Sequence, residues 1–408
     1  MVFYKTYDNG LKLVVNKMDG VFSVSAGVLI KTGSINESKE ENGISHFIEH
    51  TLFKGTEKRT AFEISDEIDS IGAQINAFTS KELTCYYTKS TSEYLGETLE
   101  ILSDIFFNSK FDEEELKKER GVVIEEINMC EDTPEDVCLD LLAEACYGDS
   151  GLGQTILGPA KNVKRFTKKD ISAYMDKYYC ADNVVISIAG NVDEKKAFDL
   201  VDEYFASNFT RVKSAEQVKN GEFTAKTLHK TKKIEQSHVA IAIPAISMKD
   251  ERVDSLSIAS AILGGGMSSR LFQKIREEMG LCYSVYSYFS QYKDCGLVEV
   301  YAGVNVNSRQ TAIKAILEEI EKFRTCGITD AEFARGKAQI KSSVIFGQES
   351  TASQMLLYGK YLLHKNERFD FAKKIEMLDK ITKSQIESVI KDVFTTERLS
   401  IATVDATE

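Results

Sequence analysis

One stretch of this sequence is written twice. Thr167-Lys-Lys-Asp-Ile171 and the later run Asn183-Val-Val-Ile-Ser-Ile188 recur as Thr382-Lys-Ser-Gln-Ile386 and Arg398-Leu-Ser-Ile-Ala402, at a constant offset and without a gap. Each copy joins a helix start to a β-branched run that suits a strand, and Thr329-Asp-Ala-Glu332 and Thr382-Lys-Ser-Gln385 read as helix capping boxes. A chain of 408 residues has room for two to four domains. The expected architecture is therefore a tandem duplication of one α/β unit, of the α+β type, with antiparallel-rich sheets and flanking helices. Its boundaries read as 1–206 for the first half, 207–233 for a polar and nearly aperiodic linker, and 234–408 for the second half.

The local signals fit that plan. Residues 11–16 and 22–31 alternate as strands, and 74–79 and 84–89 read as two more joined by a polar turn. Thr60-Ala-Phe-Glu63 is a capping box for a helix that stops at Gly72. Helices are predicted over 92–107, 113–130, 135–147, 168–179 and 193–206, with Pro134 as a break. In the second half a strand at 238–243, a helix over 253–263, strands near 283–290 and 297–304, and helices from Arg309 and Thr329 repeat the order. The glycine-rich run 148–158 lacks the Lys-Ser/Thr ending of a phosphate loop, so it does not indicate nucleotide binding.

The densest chemistry lies in Ile44-Ser-His46-Phe-Ile-Glu49-His50-Thr-Leu52, which holds two of the five histidines. On a helix His46 and His50 stand one turn apart on one face with Glu49 beside them, while Ile44, Phe47, Ile48 and Leu52 line the opposite face. Two imidazoles so placed suit a tetrahedral Zn2+, and an adjacent carboxylate can take a proton from water. That points to hydrolysis, against the plainer reading of two solvated or hydrogen-bonded histidines. The duplication aligns His46 and His50 with Ala261 and Gly265, so only one half carries the pair. A catalytic zinc needs a third protein ligand. The acidic run 113–131 offers several carboxylates: Glu119 and Glu126 lie two turns apart on one face, Glu125 points about 100° away, and a solvated acidic face is the plainer alternative.

Composition narrows the function classes. The formal charge of -12, from 51 basic against 63 acidic residues, argues against nucleic acid as a partner. The first residues show no basic region followed by an apolar core, and no stretch is long enough to span a bilayer, so no membrane association is expected. Eight cysteines form no C-x-x-C pair and sit in apolar segments; they read as reduced core residues in a cytoplasmic protein.

His46-Phe-Ile-Glu49-His50 within Asn42-Gly-Ile-Ser-His-Phe-Ile-Glu-His-Thr-Leu-Phe-Lys-Gly-Thr56 resembles the inverted zinc-protease motif of the pitrilysin-type M16 metallopeptidases. The short members similar to the mitochondrial processing peptidase β subunit are the best match. The resemblance spans essentially the whole chain. It implies Glu126 as the third ligand beside His46 and His50, one Zn2+ per chain, Glu49 as general base and Glu119 as a supporting carboxylate. It further implies that Asn76-Ala77-Phe78 lie on an edge strand that pairs with an extended substrate. Arg276 would grip a substrate carbonyl and Tyr283 would donate to the oxyanion. The expectation is a zinc metalloendopeptidase whose two halves form a clamshell around unfolded peptides or flexible leader segments, with a homodimer possible. The competing expectation is a peptide-binding or partner subunit without turnover. His229, His238 and His364 have no such context.

Overall fold

The computed structural model describes residues 1–210, 213–216, 218 and 221–406. Its eleven strands among the described residues are β1 (Val2–Thr6), β2 (Lys12–Lys17), β3 (Ser23–Ile30), β4 (Gln74–Thr79), β5 (Thr84–Thr91), β6 (Val184–Gly190), β7 (Thr227–Lys232), β8 (Gln236–Ala245), β9 (Cys282–Gln291), β10 (Gly296–Asn305) and β11 (Ser400–Ala406). They make two sheets, ordered β1-β2-β6-β3-β5-β4 and β7-β11-β8-β10-β9. In the first, β2 and β6 run parallel and the remaining neighbours antiparallel. The second repeats that pattern, with β7 and β11 as the parallel pair. The sheets therefore share one topology apart from β1, as a duplication requires. Both repeated Thr-x-x-Asp/Gln signatures form capping boxes, at Thr167 and at Thr382.

Alternation sets which strand face meets the core. Val24, Ala26, Val28 and Ile30 of β3 are buried with Phe47, Ile48, Leu99 and Leu102. In the second sheet Val298, Val300, Ala302 and Val304 of β10 are buried with Leu256, Leu263 and Ile316. The intervening residues of both strands are buried as well, so each sheet needs cover on its second face.

The compact units do not follow the expected division at 206 and 234. One unit is 1–127, 155–218 and 346–369; the other is 128–154, 219–345 and 370–408. The physical reason is an exchange of helices between the two halves of the sequence. Helix Thr351–Lys365, from the second half, lies against β2, β3 and β6 of the first sheet. Gln354 Oε1 accepts from Asn16 Nδ2 at 3.1 Å, Thr351 and Ser25 hydroxyls meet at 2.9 Å, and Ser187 Oγ donates to the Met355 carbonyl at 2.7 Å. A Cβ on Gly27 would fall 2.4 Å from Met355 Sδ, so the sheet presents a glycine where the helix crosses. Reciprocally, helix Pro134–Tyr147 lies against β8 and β11, where Ser400 Oγ donates to the Ala145 carbonyl at 3.1 Å. Each sheet has two faces to cover, and each half supplies the cover for one face of the other. The expected linker also ends early: β7 lies inside 207–233, pairing with β11, while 211, 212, 217, 219 and 220 fall outside the described residues.

Candidate metal centre

The helix Ile44–Thr51 forms as its periodicity predicts, with Ile44, Phe47 and Ile48 at most 1% exposed and Leu52 fully buried just beyond it. His46 and His50 project from the other side, their rings 4.7 Å apart edge to face. Helix Glu113–Glu131 brings Glu126 to them: Glu126 Oε2 lies 3.2 Å from His50 Nε2 and 3.6 Å from His46 Nε2. One donor atom from each of His46, His50 and Glu126 lies within 4.8 Å of the other two. Glu125, left open by spacing alone, is exposed and belongs to no such group.

Glu119 stands one layer out. It is 3% exposed, with Oε1 2.8 Å from His50 Nδ1 and Oε2 2.8 Å from Lys54 Nζ. When His50 donates its Nδ1 proton to Glu119, its Nε2 turns a lone pair toward Glu126, a carboxylate. Three lone-pair donors converging on one point repel one another unless a cation sits among them. Two imidazoles and one carboxylate, with an outer carboxylate fixing one tautomer, are a donor set that fits a catalytic zinc.

Electrostatics favour the ligand form of His46. Burial, reinforced by neighbouring His50, lowers its imidazole to about 4, leaving it neutral at pH 7. For His50, burial pulls downward but the Glu119 hydrogen bond and the nearby carboxylates outweigh it. Burial raises Glu119, yet its bonds to His50 and Lys54 bring it below the ordinary range. Glu49 is pushed up by burial, against the Thr79 hydroxyl that donates to its Oε2 at 2.5 Å. That bond ties the metal-bearing helix to the last residue of β4.

β4 is the outer strand of the first sheet, paired to β5 on one side. Asn76 is exposed, and its Oδ1 accepts from the Ala77 N–H at 2.8 Å, so the side chain satisfies an amide of this edge strand. Phe78 packs edge-on to Tyr87, with Lys360 Nζ 5.4 Å from its ring centre. In the other unit, the Arg276 guanidinium lies between the rings of Phe272, at 4.6 Å, and Tyr283, at 4.9 Å, and Tyr283 is 79% exposed. Arg276 and Tyr283 thus meet each other. His229 meets Thr403 and Asp405, and His238 meets Tyr301, outside the metal group.

The equivalent place in the second half is closed. Gly264 aligns with Glu49, and a Cβ there would come within 2.4 Å of the Ser287 amide nitrogen, so strand backbone fills the room a base would need.

Sequence reasoning missed Lys54 and Thr79. Lys54 had a signal, being one helical turn beyond His50 and thus near whatever backs it. Thr79 had none, because its contact with Glu49 depends on how β4 packs against the helix.

Residues 13–160 match the family model "Insulinase (Peptidase family M16)", and residues 165–340 match "Peptidase M16 inactive domain". His46, Glu49, His50, Glu119 and Glu126 all lie in the first match. An uncharacterized zinc protease YmxG of Bacillus subtilis is 42% identical over 397 residues, covering 97% of this chain and 96% of its own. An uncharacterized zinc protease of Streptomyces coelicolor is 36% identical over 395 residues, covering 95% and 86%. The crystal structure of a protease from Helicobacter pylori has the same fold, with a TM-score of 0.92 at 24% identity over 99% of both chains.

Proposed function

Because this chain belongs to peptidase family M16, we propose that it is a zinc metalloendopeptidase of unfolded peptides or flexible leader segments, with one zinc per chain held by His46, His50 and Glu126. The observation that carries this reading is the convergence of those three donors beside a buried, hydrogen-bonded Glu49. Zinc bound there would supply Lewis acidity toward water and the scissile carbonyl. Glu49 takes the proton from the attacking water and delivers it to the departing amine nitrogen. Burial favours the first transfer, since desolvation raises the affinity of this carboxyl for the proton it takes from water. Glu119 holds the His50 ring in the tautomer whose Nε2 faces the site, and Lys54 holds Glu119.

The substrate class follows from β4. An edge strand binds another chain by main-chain pairing, which an extended peptide can offer and a folded surface cannot. Asn76, Ala77 and Phe78 are assigned to that pairing. The Arg276 guanidinium is assigned to a substrate carbonyl and the exposed Tyr283 hydroxyl to the developing oxyanion. A cytoplasmic setting suits eight cysteines that form no disulfide among the described residues.

Metal removal tests the reading. Dialysis against a chelator is expected to abolish cleavage of an unstructured quenched peptide, and one equivalent of zinc to restore it. Full activity in protein measured to hold less than a tenth of an equivalent of metal would contradict it.

A further inference from the structure

The helix Ile44–Thr51 has only eight residues, too few to be stable by itself. Its start also lacks the usual local support. Gly43 at the cap has φ 97° and no side chain to receive the first amide protons. The Ile44 N–H goes to the Glu41 carbonyl at 2.9 Å, and the Gly43 and Ser45 N–H go to Glu37, which directly follows the short turn Ser34–Asn36. Glu37 Oε1 accepts from the Ser45 N–H at 2.8 Å, and Oε2 accepts from the Gly43 N–H at 2.8 Å and Asn42 Nδ2 at 3.0 Å. The side chain is 5% exposed. All three partners are donors, which the ionised carboxylate satisfies and a neutral amide cannot. Its negative charge also faces the positive end of the helix.

The surroundings hold this cap in place. Asn42 Nδ2 donates to the Thr155 carbonyl at 2.8 Å, and Asn162 Nδ2 donates to the carbonyls of Lys39 and Asn42 at 2.8 and 3.0 Å. A Cβ at Gly43 would fall 2.5 Å from the Leu157 carbonyl oxygen. Ser45 Oγ donates to Tyr174 Oη at 2.9 Å. His46 is the next residue after Ser45, so the capped amide sets where the first histidine begins. A metal centre tolerates only about 0.5 Å of error in its donors. A short helix free to shift at its start exceeds that.

We infer that Glu37 is a positioning residue of the metal centre, a buried carboxylate that caps the histidine-bearing helix from outside it and so sets the spacing of His46 and His50. The inference rests on the metal-site reading above.

The experiment compares full-length wild type, Glu37→Gln and Asp104→Asn by titration with Co2+, following its visible absorption, and by thermal melting. Asp104 accepts from Thr56 and Arg59 at 2.6 and 2.9 Å away from the metal group, so its variant is a control for lost stability alone. The expected result is Co2+ binding at least about tenfold weaker in Glu37→Gln with an altered band shape. Asp104→Asn should melt earlier yet keep the wild-type affinity and spectrum. In peptide cleavage kcat should fall in Glu37→Gln with KM within twofold of wild type. Glu37→Gln with wild-type Co2+ affinity and band shape would overturn the inference, whatever its melting temperature. Should Glu37→Gln not fold, Asn42→Ala removes one of the three donors, and unchanged Co2+ affinity there overturns it equally. Absence of Co2+ binding by the wild type would instead sink the metal-site reading.

Discussion

Replacing Glu119 by Gln removes one charge and almost no volume, and its cost can be worked from two distances. Glu119 is 3% exposed and makes two bonds of 2.8 Å, to the His50 ring and to the Lys54 ammonium. Hydrogen bonds to a charged group contribute about 1.5–3 kcal/mol, and neutral ones about 0.5–1.5. The amide keeps the shape but loses about 1–1.5 kcal/mol at the His50 contact, close to tenfold in zinc affinity. It also leaves Lys54 without its carboxylate, and the ammonium then competes for the amide oxygen that should orient His50. Zinc affinity is therefore expected to fall about 10- to 100-fold, measured by competition with a chromophoric chelator. Lys54→Met should act in the same direction, more weakly, because it leaves the His50–Glu119 bond in place. Glu119→Gln holding zinc as tightly as wild type would refute the role given to this carboxylate.

Two other outcomes are expected. Burial raises the Glu332 carboxyl, but its bonds to Arg270 and Thr329 outweigh that and hold it near about 2, so its contribution is complete above about pH 5 and fades as pH falls toward 2. Melting curves of wild type and Glu332→Gln should differ by a constant amount from pH 7 to 5, with the gap roughly halved at pH 3 and closing only toward pH 2; a gap unchanged at pH 3 would contradict this. Asn76→Ala frees the Ala77 amide for a substrate strand, and a bond of about 0.5–1.5 kcal/mol no longer has to be displaced. KM for an extended peptide should drop about two- to tenfold; an unaltered KM would mean the amide is not used in binding.

The parts legible in the sequence were those whose cause is local. The capping boxes at Thr60, Thr329 and Thr382 form as read, Val24, Ala26, Val28 and Ile30 of β3 pack into one core, and the face of Ile44, Phe47 and Ile48 is buried as the periodicity requires. Glu126 could not be chosen by spacing alone, because helix periodicity leaves it equivalent to Glu119; packing separates them, burying Glu119 behind His50 and leaving Glu126 in front. β7 was hidden because its Thr, His and Lys residues are what an edge strand carries to avoid further pairing, and such a run resembles a linker. The exchange of helices Pro134–Tyr147 and Thr351–Lys365 had no local signal. It is decided by which sheet face each helix covers, a contact between residues hundreds of positions apart, such as Asn16 with Gln354. Glycines carried a trace of it: Gly27 and Gly359 stand where sheet and helix approach too closely for a side chain.

The central claim is that Glu49 moves the proton in a zinc-dependent cleavage, and its most direct test pairs zinc content with cleavage of a quenched, unstructured peptide by wild type and Glu49→Gln. Glu49 accepts from Thr79 and lies outside the three-donor group, so the amide should leave metal binding intact. About one zinc per chain in both proteins, with kcat lower by at least about 100-fold in the variant, is the expected result. Equal cleavage by both proteins, or no zinc in the wild type, would contradict the account.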